Sequence, residues 1–514
     1  MRYLVLAATL AGTALFAQDW ANPVIAGDHP DPSLVRVGND YYATATSSGW
    51  APIFPVYHSR DLKTWRQVGA MFERPPEWSA GNYWAPEITH YRGQFYVYYT
   101  ARKRNGPLCV AVATAGKASG PWSDHGPLVC DPDGSIDGFA ITGEDGRRYL
   151  IYKEDGNSRK MPTPIWAQRL TEDGLKVTGD RTELIRNTAP WEGAVVEGPF
   201  ILPHNGYFYL FYAGGACCGT GCDYAEGAAR SKQLLGPYEK APSNPIVPAS
   251  STWKCPGHGS LVVDPAGRTF FLYHAYNVKD SIYVGRESLL DEVTWTDAGW
   301  PAVNGGRGPS SAQKPAGPGF EDAFNAPALT PGWQWPPGNE PKIRTGGGTL
   351  RLEPSEPANG NFTAAIIARS PTHADLSALT SVDASHLAPG VSAGIAGYGD
   401  ARNALGLAAT QGALVLWRRE NGATTVVSET PLDTRGPVRL RMTIVAGRRF
   451  HFAWSRDGKS WKALGTELEG GYLPPWDLAT RIALTASGPA EFDFFRIEAP
   501  ATRAAAAAST AAHR

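Results

Sequence analysis

Beyond its first sixteen residues, this chain of 514 has no apolar run long enough to cross a membrane. Charge is also scarce. Asp, Glu, Lys and Arg make up 19% of the residues and nearly cancel, leaving a formal net charge of −1. No field of one sign therefore points toward nucleic acid or an acidic membrane surface, and neither is expected as a partner. Cysteine is limited to six residues. Cys217-Cys218-x-x-x-Cys222 lacks a Cys-x-x-Cys pair and a nearby His, which argues against a metal site there. The even count favours disulfides in an exported chain. Their connectivity stays open, with Cys109 and Cys130 the preferred first pair.

The one apolar stretch lies at the N-terminus. Arg2 precedes Leu4 to Phe16, and Ala17 offers a cleavage point before Gln18. Residues 1–17 thus read as an export signal, and the expected location is secreted or periplasmic. The remaining length is too great for one hydrophobic core and predicts two domains. Glycine (57) and proline (42) are plentiful, as are Trp (17), Tyr (21) and Phe (18), a mixture that favours many short strands over long helices.

A repeat runs through the first 300 residues. Five turns lead into five aromatic strands, and their anchors Tyr42, Tyr98, Tyr152, Tyr212 and Tyr273 stand 54 to 61 residues apart. A second turn follows each, as in Ser59-Arg60-Asp61-Leu62-Lys63-Thr64-Trp65 and Leu289-Leu290-Asp291-Glu292-Val293-Thr294-Trp295. Four strands fit each unit, so the fold class is all-β, with a five-bladed β-propeller over residues 18–304. The first strand of each blade lines the channel. Counting back 11 or 15 residues from the anchors gives Asp31, Glu87, Asp137, Glu197 and His258, one ionisable group per blade. Turn chemistry alone accounts for any one of them. Like charges gathered on one axis repel, and five in phase are expected where chemistry uses them. Paired carboxylates across a funnel suit glycoside hydrolysis, where one protonates the leaving oxygen and another activates water or attacks directly.

These residues resemble those of family 43 glycoside hydrolases, five-bladed propellers acting on arabinose- and xylose-containing polysaccharides. Asn22-Pro23-Val24-Ile25-Ala26-Gly27-Asp28-His29-Pro30-Asp31-Pro32-Ser33 is similar to the family's opening motif, Ser135-Ile136-Asp137-Gly138 to its third-acid motif, and Val196-Glu197-Gly198-Pro199 to its general-acid motif. The resemblance implies that Asp31 is the general base, Glu197 the general acid and Asp137 the residue that tunes the acid. It also implies inversion, with Asp31 and Glu197 roughly 6.5–9.5 Å apart. Glu192 competes for the acid role but lies out of phase. Tyr83-Trp84-Ala85-Pro86-Glu87 and Gly257-His258-Gly259-Ser260 resemble the second- and fifth-blade motifs. The latter implies a water-coordinated Ca²⁺ near His258, though no cofactor is required. Val284-Gly285-Arg286 resembles a substrate-contacting segment, with Arg286 holding sugar hydroxyls or orienting Glu197. Trp50, Phe54 and Trp84 are the candidate sugar platforms, and Glu87 and His258 further substrate contacts.

Residues 305–319 read as a Gly/Ser/Pro linker. From 320 to 499 short alternating strands predict a β-sandwich of jelly-roll, concanavalin-like type, resembling the one that follows the propeller in many family 43 β-xylosidases and arabinofuranosidases. Three roles stay open for it: walling one side of the catalytic pocket as that resemblance implies, binding polysaccharide, or only stabilising the propeller. Residues 500–514 form an Ala-rich tail expected to be disordered. The expected activity is exo-release of arabinofuranose or xylose from oligosaccharides or polysaccharides. An exo-β-1,3-galactanase of the same family and a non-catalytic carbohydrate-binding propeller are the alternatives. Retaining fructan-cleaving propellers need an Asn-Asp-Pro-Asn type opening, which is missing. Oligomeric state is not legible.

Overall fold

The computed structural model describes residues 20–279, 281–313, 319–433 and 436–499. The expected export signal, the Ala-rich tail and residues 314–318 of the expected linker lie outside them. Five four-stranded antiparallel sheets occupy 33–72, 84–129, 135–185, 196–240 and 253–303, here blades I to V. In each blade the strands follow one another outward in chain order. This is the simplest topology for a chain whose strands are joined by tight turns.

The anchor tyrosines all fall on second strands, and those of blades II to V are fully buried. Each first strand packs against the first strands of both neighbouring blades, blades I and V included, so the ring is closed. The N-terminal segment helps close it. Asn22 Oδ1 accepts from Leu290 N–H at 2.9 Å, and Val24 N–H donates to Ser288 O at 2.9 Å, both on the third strand of blade V.

The first strands are not regular. A residue with positive φ stands at or beside each phased position: Asp31 (52°), Ala85 (43°), Asp137 (58°), Gly198 (60°) and His258 (45°). In blades II to V the pairing register shifts at the same places. Such bulges re-aim a side chain that would otherwise alternate between blade faces. Left-handed backbone at an aspartate or histidine costs energy, and it persists where surrounding structure enforces it.

Residues 320–498 form an eight-stranded and a six-stranded sheet. Leu350, Leu352, Ile367, Leu440, Phe450 and Phe492 belong to the buried core between them. This sandwich is bound tightly to the propeller. Arg481 Nη1 lies 2.9 Å from Asp28 Oδ2, with 2% and 1% of their side chains exposed. Ala479 N–H donates to the same oxygen at 3.0 Å. Residues 310–313, within the expected linker, are docked on the propeller: Trp253 Nε1 donates to Ser310 O at 2.9 Å, and Asn22 N–H to Ala312 O at 2.8 Å.

Candidate active site

The re-aimed side chains of blades I, III and IV meet in one cavity of about 610 Å³, lined by Asp31, Asp137 and Glu197 together. Their surroundings differ, and the difference sorts their chemistry.

Asp31 sits among cations and donors. Arg286 Nη1 donates to its Oδ1 at 3.0 Å, Thr46 Oγ1 to its Oδ2 at 2.7 Å, and His258 Nδ1 lies 3.6 Å away. Its backbone N–H donates to His274 Nδ1 at 3.1 Å. Burial works to raise the carboxyl, but Arg286, then His258, outweigh it and hold Asp31 well below the usual carboxylate range. His274 itself is brought down to about 4, chiefly by burial. Asp31 is therefore an ionised acceptor at any ordinary pH.

Asp137 and Glu197 behave as a pair. Burial, followed by repulsion from the Glu197 carboxylate, pushes Asp137 up to about 6, although Gly198 N–H donates to its Oδ2 at 2.9 Å. Burial opposes ionisation of Glu197 too, but Lys153 Nζ at 2.8 Å from Oε2 holds it below its ordinary value. Tyr224 donates its hydroxyl to Glu197 Oε1 at 2.8 Å. Lys153 is 1% exposed and also bonds Asp155 Oδ1 at 2.8 Å and Asn157 Oδ1 at 3.1 Å. The pair thus keeps a proton into the weakly acidic range, beside a neighbour that is always ionised.

His258 stands between these halves, its backbone N–H donating to Glu226 Oε2 at 2.9 Å. Gly198 is required beside it, since a Cβ there would come within 2.7 Å of the His258 ring. That close approach gives the Glu-Gly-Pro sequence a physical reason. Among the described residues no three His, Cys, Asp or Glu side chains stand close enough together to coordinate one metal ion, so a Ca²⁺ near His258 would be held through water.

Several candidates from the sequence take other places. Trp84 lines the cavity. Trp50 and Phe54 do not. Trp50 is 1% exposed and packs on Tyr398 and Arg481 of the sandwich, while the fully buried Phe54 packs on Phe72, Tyr83 and Tyr99. Burial removes both as sugar platforms. Glu87 lies off the cavity beside Ser33, and burial pushes its carboxyl well up. Arg286 grips Asp31, with no bond to Glu197. Glu192 is fully buried under Lys240, Tyr212 and the backbone of Thr188 and Ala189, away from the cavity.

Sequence reasoning missed Lys153, Tyr224, Thr46 and His274. Lys153 had a signal, being a lysine directly after the apolar run Tyr149-Leu150-Ile151-Tyr152. The sandwich adds Trp476 and Asp477 to the cavity lining, and nothing in their sequence context marks them. Trp476 meets Trp84 edge-on, with centroids 6.0 Å apart. Asp477 O accepts from Arg286 Nη2 at 3.2 Å, and its carboxylate from Ser48 Oγ at 2.9 Å. The disulfides are Cys109–Cys130, as preferred, Cys217–Cys218 and Cys222–Cys255.

Residues 20–301 match the sequence profile of glycosyl hydrolases family 43, and residues 321–498 that of the beta xylosidase C-terminal concanavalin A-like domain. The chain is 29% identical to xylosidase/arabinosidase 43B of Humicola insolens, covering 88% of this chain and 90% of that one. It is 31% identical to a putative beta-xylosidase of Escherichia coli K12, covering 74% and 77%. Among solved structures it is similar to the GH43 protein BlXynB of Bacillus licheniformis, with TM-score 0.79 and 26% identity over 93% of this chain and 99% of that one. The xylan beta-1,4-xylosidase of Bacillus halodurans C-125 gives TM-score 0.78 and 25% identity, over 93% and 100%.

Proposed function

The chain belongs to glycosyl hydrolases family 43 and is a glycosidase, and we propose that it releases single arabinofuranose or xylose units from oligosaccharide ends with inversion. Asp31, held ionised by Arg286, draws a proton from water on one face of the sugar. Glu197 donates to the departing oxygen on the other. Asp137 keeps the donated proton on the pair: it retains one up to about 6 and accepts from the N–H of Gly198, the residue after Glu197, so it resupplies the acid as the oxygen leaves. The observation that carries this reading is the contrast within one cavity between a carboxylate kept ionised and a carboxyl pair that keeps a proton. Exo action is supported by Trp476 and Asp477, through which the sandwich walls the cavity. Export from the cytoplasm is part of the proposal, supported by three disulfides.

The test compares wild type with Glu197→Gln on xylo- and arabino-oligosaccharides, whose poor leaving groups need an acid. The variant should lose about 10²–10⁴-fold in kcat. Proton NMR of the first-formed sugar should show the anomer opposite to the substrate's. Equal rates, or retention, would defeat the assignment.

A further inference from the structure

Resting on that reading, Glu197 faces the departing oxygen, so the leaving sugar lies on the Glu197 side of the cavity, across from Asp31. The wall there includes the loop between the second and third strands of blade IV, whose Cys217 and Cys218 line the cavity and are bonded to each other. Both ends of this loop touch the surroundings of Glu197. Gly215 N–H donates to Val195 O at 3.3 Å, two residues ahead of Glu197. Tyr224, the last residue of the loop, donates to Glu197 Oε1 at 2.8 Å.

We propose that the Cys217–Cys218 disulfide is the platform on which the leaving-side sugar ring of a pentose oligosaccharide rests by its C–H face. Three features favour this. First, the sulfurs are apolar and polarizable, and suited to C–H contact as a thioether is. Both cysteines are only half-buried, although they line a cavity rich in charge. Second, the surface is rigid. A bond between adjacent residues closes a small ring through their peptide group and removes side-chain rotation. Ala216 N–H donates to Asp223 Oδ1 at 2.6 Å and Gly219 N–H to Tyr276 Oη at 3.2 Å. Cys222–Cys255 ties the loop to blade V three residues before His258. A sugar landing there orders nothing further, so its contact is not offset by lost protein entropy. Third, Asn157 and Ser158 of blade III line the same cavity and offer hydrogen bonds to hydroxyls. An apolar floor with a few polar groups is the usual composition of a ligand site.

The experiment compares two pairs of substrates; within each pair both leaving groups are alcohols, and one has a sugar ring where the other has a methyl group. These are xylobiose against methyl β-xyloside, and an arabinofuranosyl-xylobiose against methyl α-arabinofuranoside. In Cys217→Ala/Cys218→Ala, kcat/KM on the oligosaccharide should fall about tenfold, roughly what losing 50–60 Å² of apolar contact costs. The rise should be in KM, with the methyl glycoside changed less than about twofold. Should the double variant fold poorly by circular dichroism, wild type treated briefly with a phosphine at low temperature replaces it, with the same split expected. Equal loss on both substrates by the folded protein, or no loss on either, would overturn the platform and leave the glycosidase reading standing. A wild type inactive on all four substrates would overturn both.

Discussion

Replacing Lys153 by Met removes the ammonium bonded to Glu197 while keeping the length of the side chain. The ammonium lies 2.8 Å from Glu197 Oε2. At an effective dielectric of about 20, a unit pair at that distance interacts by about 6 kcal/mol. Water entering the vacated space and relaxation of Asn157 and Asp155 reduce this, and an effect of roughly 1–3 pK units is expected. The sign follows from the charge. A cation favours the ionised carboxylate, so without it Glu197 and Asp137 hold their shared proton to higher pH. The acid is spent when that proton is lost, which sets the alkaline limb of the kcat/KM profile. That limb should therefore move upward in Lys153→Met by roughly 1–3 units. Asp31, kept ionised throughout this range by its separate partners, contributes no limb of its own in either protein. The assay is hydrolysis of a pentose disaccharide from pH 3 to 10, with circular dichroism at each pH and Lys153→Arg as a charge-keeping control. An alkaline limb that is unmoved, or moved downward, would refute the electrostatic role of Lys153.

The other expectations concern the same cavity and its attachment to the sandwich. Tyr224→Phe deletes one donor to Glu197 Oε1 and should raise the alkaline limb by about one unit, less than the lysine change; a downward shift would contradict this. Arg481→Leu leaves Asp28 as an unpaired buried carboxylate and should destabilise by about 3–5 kcal/mol, seen in denaturant unfolding, with part recovered by adding Asp28→Asn. An unchanged unfolding midpoint would show that the sandwich is held by other contacts. Trp476 is 64% exposed, so Trp476→Ala should leave thermal stability within about 0.5 kcal/mol. Its KM for oligosaccharides should still rise, by about five- to thirtyfold if the ring contributes about 1–2 kcal/mol of stacking. A KM equal to wild type would remove it from the substrate path.

The blades and the three carboxylates were legible for a common reason. A propeller repeats one local design, so strand alternation and turn spacing recur in phase, and a residue's position within its blade follows from counting to its anchor tyrosine. The count led to Asp137 and Glu197 on inner strands and to Asp31 two residues ahead of one, all lining the cavity, and it rejected Glu192, which is buried elsewhere. For the aromatic platforms the reading failed at two of three, since Trp84 lines the cavity but Trp50 and Phe54 do not. Trp50 and Phe54 belong to blade I, and the count shows which blade carries them. It does not show whether another blade or the sandwich covers them. Trp50 is covered by Tyr398, which lies 348 residues further along the chain.

The chain's own pattern thus decided the architecture and which backbone positions reach the axis, because both follow from short-range periodicity. Ring closure and docking of the sandwich decided the rest. Arg286 meets Asp31 only because blade V returns beside blade I. Lys153 meets Glu197 only because blades III and IV are neighbours. Trp476 and Asp477 reach the cavity only because the sandwich is docked on the propeller, where Arg481 meets Asp28. The protonation state of a buried carboxyl depends on whatever stands within a few ångströms, and those neighbours come from distant parts of the chain that only packing brings together.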